Sequence, residues 1–254
     1  MKKQIPNLLT LLNLLCGCIA VIFAVRNQLD TAALFVVIGI FFDFFDGFAA
    51  RALGVSSPLG LQLDSLADMV TSGVTPGIVM FQLLKSSVSP NGWELTSTLQ
   101  MISGADKGIT FLDVFPYLGL LITLGSAYRL ANFNIDENQT ASFIGLPTPA
   151  NTLFILSLPL ILLYETGDFW SVFILNPYVL VVITLLSTYM LNAKIPLFAL
   201  KFKTFGFKGN EIRFLFLGAS IVLLLLLKFT AIPFIIFLYV LLSVIHNMRE
   251  KKSV

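Results

Sequence analysis

Residues 43–68 read DFFDGFAARALGVSSPLGLQLDSLAD, which sets four aspartates (Asp43, Asp46, Asp64, Asp68) and one arginine, Arg51, in or beside two apolar stretches. A carboxylate at membrane depth costs several kcal/mol, so acids placed there mark function by default. No matching set of Lys or Arg stands beside them in the sequence, and the balancing charge has to come from elsewhere. A bound divalent cation supplies it, and an all-oxygen donor set selects Mg2+, Mn2+ or Ca2+ over zinc. The bland alternatives are hydrogen-bonding glue between helices or a proton relay.

The rest of the chain says that these stretches lie in a membrane. Of the 254 residues, 57% are hydrophobic and only 12% charged, where a soluble domain carries roughly 25% charged residues. That excludes an ordinary soluble enzyme, a disordered chain and a disulfide scaffold. A net charge of +2 gives no reason to expect nucleic acid as a partner. Cys16 and Cys18 sit two apart in an apolar run and read as small hydrophobes. Apolar segments of helical length fall at residues 5–25, 31–51, 64–84, 115–133, 150–164, 172–191, 213–228 and 231–246. The expectation is an all-α polytopic membrane protein of about eight transmembrane helices. It forms one integral domain over residues 1–254, with core spans in 5–191 and an added helix pair at 213–246. The first segment follows Lys2 and Lys3 but is a full-length span with no small-residue cleavage site, so it is not read as a signal peptide.

Charge sets the orientation. With the N-terminus inside, twelve Lys and Arg fall on the inner side and four (Arg26, Lys85, Lys107, Lys228) on the outer. That bias puts both termini in the cytoplasm. The outer loop 86–113 carries Trp93, and its Ser, Gly and Thr leave room for a short interfacial helix. The inner loop 192–211 interleaves Lys194, Lys201, Lys203 and Lys208 with Phe198, Phe202, Phe205 and Phe207. It reads as an anchor on anionic headgroups or as a contact for lipid phosphate.

Helical spacing gathers the acids. At about 100° per residue, Asp43, Asp46, Gly47, Ala50 and Arg51 share one face of a helix, and Asp64 and Asp68 share a face of the next. Gly54, Ser56, Ser57, Pro58 and Gly60 read as a short loop that reverses the chain. Two antiparallel helices then bring four carboxylates to one centre near the inner surface. Gly47 and Ala50 leave space for a ligand against the backbone, and Arg51 at the rim can clamp a phosphate oxygen. Asn7, Thr10 and Asn13 are set to line a pocket or to hydrogen-bond between helices. Thr71, Ser72 and Thr75 continue past Asp68 toward an acceptor or into helix packing. Arg129 is either a snorkelling anchor or a seat for an acceptor carboxylate. His246, the only histidine, has no partner nucleophile in the sequence and reads as interfacial.

The pattern Asp43-x2-Asp46-Gly47-x2-Ala50-Arg51-x8-Gly60-x3-Asp64-x3-Asp68 resembles the signature of the CDP-alcohol phosphotransferase family, with all eight specified positions in order and register. Residues 5–10 (IPNLLT), continuing to Asn13 and Gly17, together with 126–134 (SAYRLANFN) and 143–150 (FIGLPTPA), are similar to segments of its serine-accepting branch. One departure is Asn132, where that branch usually has a second arginine.

The resemblance implies an eight-span bundle that moves the phosphatidyl group of CDP-diacylglycerol to the hydroxyl of L-serine, releasing CMP. It implies two divalent ions, Mg2+ or Mn2+, held by Asp43, Asp46, Asp64 and Asp68, with Asp68 also the general base. Asp46, Gly47, Ala50, Arg51, Gly60, Asn7 and Thr10 would seat the CDP moiety, and Arg129 the acceptor. A homodimer in the cytoplasmic membrane, its active site facing the cytoplasm, completes the expectation. The alternatives are the same chemistry with glycerol 3-phosphate or inositol phosphate, whose extra phosphate would ask for more cations than Arg51 and Arg129. More remote is a cation transporter with an aspartate relay, which would spread its acids over several broken spans.

Overall fold

The computed structural model describes residues 4–55, 57–88, 114–135, 143–198 and 210–252. It is built almost wholly of helices: α1 (Gln4–Val25), α2 (Leu29–Leu53), α3 (Pro58–Asp68), α4 (Thr75–Val88), α5 (Leu121–Ile135), α6 (Thr148–Tyr164), α7 (Asp168–Ile174), α8 (Pro177–Asn192), α9 (Glu211–Leu227) and α10 (Ala231–Lys252). The exception is a ribbon in which β1 (Phe143–Ile144) pairs antiparallel with β2 (Pro196–Leu197), Phe143 opposite Leu197. It ties the α5–α6 connection to the chain after α8. Lys2, Lys3, Ser56, Trp93, Lys107, Phe202, Phe205, Phe207, Lys201, Lys203 and Lys208, with most of the outer loop, lie outside the described residues.

The local signals explain where the helices stop and start. Gly54 ends α2 in the left-handed conformation (φ 62°), its N–H reaching the carbonyls of Ala50 and Arg51. Ser57 then caps α3 by accepting the Gly60 N–H at 3.0 Å, with Pro58 in the first turn. The third helix therefore begins six residues earlier than the apolar pattern suggested, and Gly60 stands inside it rather than in the loop. At the other end of α1, Gln82 of α4 donates to the carbonyls of Ala24 (3.0 Å) and Val25 (2.9 Å). Those carbonyls have no partner within their own helix.

Between α3 and α4 the chain winds as a π-helix, Met69–Val74, directly after Asp68. The carbonyls of Ser72 and Gly73 receive the hydroxyls of Thr152 (2.8 Å) and Thr123 (3.0 Å) from α6 and α5. Side-chain donors thus support the backbone of the wider turn.

By length and composition, Gln4–Val25, Leu29–Leu53 and Glu211–Met248 can cross a bilayer, and α7 with α8 make a fourth if counted as one span bent by 62°. That bend corrects the reading of 172–191 as one straight helix. Pro177 lacks the N–H that would continue α7, and Asn176 caps a new start by accepting the Tyr178 N–H. The 38 residues of Glu211–Met248 are folded back on themselves. Phe216 and Tyr239 have ring centroids 5.7 Å apart, whereas about 34 Å would separate them along a straight helix. Lys228, with φ 46°, makes the turn.

Packing divides into two cores. The larger joins α1, α2, α4, α5, α6 and α8 through residues such as Val36, Met80, Ile122, Ile155 and Leu180. The smaller joins the ribbon to the C-terminal hairpin through Leu146, Leu197, Phe198, Phe216 and Tyr239. Large apolar side chains also face outward along the helices: Leu225 is 79% exposed and Phe237 68%. A surface of that kind is at home in lipid.

Candidate active site

Asp43, Asp46 and Asp64 come together as the spacing required: each offers an oxygen, and the three oxygens lie within 4.8 Å of one another. The first two stand on the last turns of α2, whose Gly54 cap fixes where the chain reverses. Asp64 stands two turns into α3. Asp46 is only 7% exposed and accepts a hydrogen bond from Thr10 Oγ1 of α1 at 2.5 Å. Three carboxylates this close repel one another, and no ion pair neutralises them among the described residues. The donor set is all oxygen and partly buried, which fits a hard divalent cation.

Asp68 stands outside that trio, one turn further along α3. Its Oδ1 accepts from Asn13 Nδ2 of α1 at 3.2 Å. Asn13 therefore turns to Asp68, whereas Asn7 and Thr10 on the same helix line a neighbouring pocket.

That pocket, of about 190 Å³, opens between α1, α2 and α3 beside the trio. Asn7, Thr10, Asp46, Gly47, Ala50, Gly60 and Asp64 line it. Sequence reasoning missed its remaining wall of Pro6, Val55, Ser57 and Leu61. These residues carry no chemical signal of their own and become visible only when α1 crosses the α2–α3 turn. A Cβ on Gly60 would stand 3.2 Å from Ser57 Oγ and 3.3 Å from Asn7 Oδ1, so a side chain there would press into the pocket wall. Arg51 is exposed and leans back along its own helix, Nη1 3.5 Å from the Cβ position of Gly47.

Arg129 of α5 is neither at the rim nor snorkelling: it is 8% exposed. Its Nη1 donates to the carbonyls of Ile144 (2.8 Å) and Leu191 (2.7 Å), and no carboxylate pairs with it among the described residues. Gly145, at φ 73°, makes room for it; a Cβ there would stand 2.9 Å from Nη1. Of the polar residues beyond Asp68, Thr71 donates to the Asn13 carbonyl (3.2 Å) and Thr75 to that of Val70 (3.1 Å), so both serve helix packing. Ser72 Oγ is buried without a partner among the described residues.

Comparison with known proteins gives the arrangement a context. The model of the family described as CDP-alcohol phosphatidyltransferase matches residues 3–190. The CDP-diacylglycerol–serine O-phosphatidyltransferase of Bacillus subtilis (strain 168) is 32% identical over 151 residues, 58% of this chain and 70% of that protein. The protein of the same name from Helicobacter pylori (strain J99) is 29% identical over 153 residues, 59% of this chain and 55% of its own length. The archaetidylserine synthase of Methanothermobacter thermautotrophicus is 26% identical over 155 residues, 60% of this chain and 56% of its own length. The chain thus spans little more than half of the last two relatives.

Proposed function

This chain belongs to the CDP-alcohol phosphatidyltransferase family, and from that premise we propose that it transfers the phosphatidyl group of CDP-diacylglycerol to L-serine, giving phosphatidylserine and CMP. The observation that carries the reading is the trio Asp43, Asp46 and Asp64 at the edge of a pocket of about 190 Å³ lined by Asn7, Thr10, Gly47, Ala50 and Gly60. The acceptor is supported by relatives named for serine transfer in both bacteria and archaea.

Asp43, Asp46 and Asp64 would hold divalent metal, two ions of Mg2+ or Mn2+ with Asp68 sharing one. When bound, the metal neutralises the diphosphate and stabilises the departing CMP. The chain's own residues do the rest. Thr10 orients Asp46 by its hydrogen bond. Gly47, Ala50 and Gly60 keep the pocket shallow enough for the cytidine diphosphate to lie against backbone, and Asn7 borders it. Arg51, exposed beside Gly47 and outside the pocket lining, would swing in to reach a phosphate oxygen. The serine hydroxyl attacks the phosphorus that carries the diacylglycerol. Its proton passes to Asp68, and the bond to the CMP oxygen breaks with its electrons going to CMP. General-base assistance of this kind is worth about 10²–10⁴ in rate. Arg129, with Nε and Nη2 left over from its two backbone bonds, would receive the serine carboxylate.

The same reading gives one membrane domain over 1–254 with eight spans, both termini and the active site on the cytoplasmic side of the cytoplasmic membrane, and a homodimeric assembly. Its support is the excess of Lys and Arg on one side, together with helical segments at each of the eight apolar positions.

The test is CMP release by purified protein given CDP-diacylglycerol and Mn2+ or Mg2+, with serine, glycerol 3-phosphate, inositol phosphate or no acceptor. Metal- and serine-dependent release with phosphatidylserine formed is expected. Release only with another acceptor would discard serine and keep the metal site. No release from folded protein would overturn the enzyme reading.

A further inference from the structure

We infer that Asn13 is a positioning residue for Asp68: its amide takes up Oδ1 and leaves Oδ2 facing the reacting hydroxyl. The inference rests on the reading of Asp68 as the base. Asn13 is fully buried on α1, and its Nδ2 donates to Asp68 Oδ1 at 3.2 Å. A carboxylate free to rotate offers its oxygens in turn, whereas one pinned at Oδ1 offers Oδ2 in a fixed direction.

The surroundings are built around that amide. Gly39 of α2 admits the amide, and Gly17 of α1 admits Thr71 beside it. A Cβ on Gly39 would stand 2.9 Å from Asn13 Oδ1 and 2.9 Å from Thr71 Cγ2, so the α2 backbone closes against the amide and leaves it little room to turn. A Cβ on Gly17 would collide with Thr71 Oγ1 and stand 3.0 Å from the Thr71 Cα. Thr71 in turn donates to the Asn13 carbonyl at 3.2 Å, tying α1 to the turn that follows Asp68.

The amide is only half satisfied. Asn13 Oδ1 is buried with no partner among the described residues. Burying such an oxygen is unfavourable, and a leucine of similar volume would avoid the penalty. Packing alone therefore gives no reason for an amide here, while the bond to Asp68 does. Thr10, one turn earlier on α1, holds Asp46 in the same manner. One face of α1 thus orients two different carboxylates, one in the trio and one outside it.

The experiment compares wild type with Asn13→Leu and with Gln82→Leu, which unties the far end of α1 without approaching the acids. Three quantities are measured: Mn2+ affinity by electron paramagnetic resonance, CDP-diacylglycerol binding, and steady-state kinetics in H2O and D2O. For Asn13→Leu, kcat is expected to fall about 10–100-fold, as for other partners that orient an active-site ligand. Mn2+ affinity, held chiefly by Asp43, Asp46 and Asp64, should fall by less than kcat does, and both KM values should stay within about twofold. The solvent isotope effect on kcat should rise, because proton transfer becomes harder relative to the other steps. Gln82→Leu should lower stability and leave kcat and the isotope effect unchanged.

Unchanged kcat in Asn13→Leu overturns the inference, as does a loss that follows Mn2+ or CDP-diacylglycerol affinity or is reproduced by Gln82→Leu. If Asn13→Leu does not fold, Asn13→Ser, too short to reach Asp68, is judged by the same criteria. Asp68→Asn separates the two levels. If it retains turnover, the base assignment itself falls; if it is inactive while Asn13→Leu is fully active, only the positioning role falls.

Discussion

Gly54 and Gly145 both adopt positive φ, 62° and 73°, yet replacing each with alanine should have different consequences. Alanine in the left-handed region costs roughly 1–2 kcal/mol, and at Gly54 nothing lies within 4 Å of the added Cβ. Part of that strain is offset by the smaller conformational freedom of alanine in the unfolded chain, about 0.4–1 kcal/mol. Gly54→Ala should therefore destabilise by about 1 kcal/mol or less. At Gly145 the Cβ would stand 2.6 Å from the Leu191 carbonyl oxygen, 2.9 Å from Arg129 Nη1 and 3.1 Å from the Ala193 carbonyl oxygen. Two of the three are backbone atoms and cannot swing aside. Overpacking adds about 1–3 kcal/mol, so with the same unfolded-state offset Gly145→Ala should cost roughly 1–4.5 kcal/mol in all. The displaced guanidinium should also raise the KM for serine while leaving that for CDP-diacylglycerol nearly unchanged. Denaturant titration in detergent micelles, followed by the two KM measurements, checks both parts. Equal destabilisation by the two substitutions would refute the steric account. An unchanged serine KM in a destabilised Gly145→Ala would detach Arg129 from the acceptor.

Asp68→Asn should abolish turnover and keep CDP-diacylglycerol binding, whereas Asp43→Asn should weaken metal-dependent binding itself; equal residual activity in both would sink the division of roles. Thr10→Val removes a hydrogen bond to a carboxylate, a contact worth about 1.5–3 kcal/mol, and should weaken Mn2+ binding by an order of magnitude or more in a titration of the purified protein. Gly60→Leu should fill the pocket beside Asn7 and Ser57 and raise the KM for CDP-diacylglycerol more than tenfold, with the thermal midpoint little changed; normal donor binding would remove that pocket from the nucleotide. Chelation by EDTA should stop CMP release, with Mn2+ or Mg2+ restoring it and Zn2+ failing to, read out by the CMP assay.

Much of the fold was legible because the decisive signals are local. Ser57-Pro58 starts α3 and Gly54 stops α2 through bonds made within a few residues. Asn176-Pro177 breaks the sixth segment by the same kind of rule, and reading the apolar run without it gave one straight span where two helices meet at 62°. The trio was legible because helical spacing places Asp43 and Asp46 on one face and a short reversal sets Asp64 opposite. Arg129 was not legible. Its partners are carbonyls of Ile144 and Leu191, 15 and 62 residues away, and a backbone carbonyl has no residue-type signal. The place of Asn13 was likewise hidden, since its approach to Asp68 depends on Gly39 of a third helix.

The sequence by itself determined the membrane class, the charge asymmetry between the two sides, the family signature and the shared faces that gather the aspartates, because each follows from composition or from spacing along the chain. Tertiary structure alone decided that Asp68, beside the trio, is held by Asn13 and that Arg129 is buried. It also decided that α9 and α10 fold back as a hairpin and that α1 holds both Asp46 and Asp68. The reason is geometric: periodicity fixes which residues share a face, but the crossing of separate helices fixes which faces meet. Here those crossings depend on glycines and on a π-helical turn whose effects appear only once the helices are in contact.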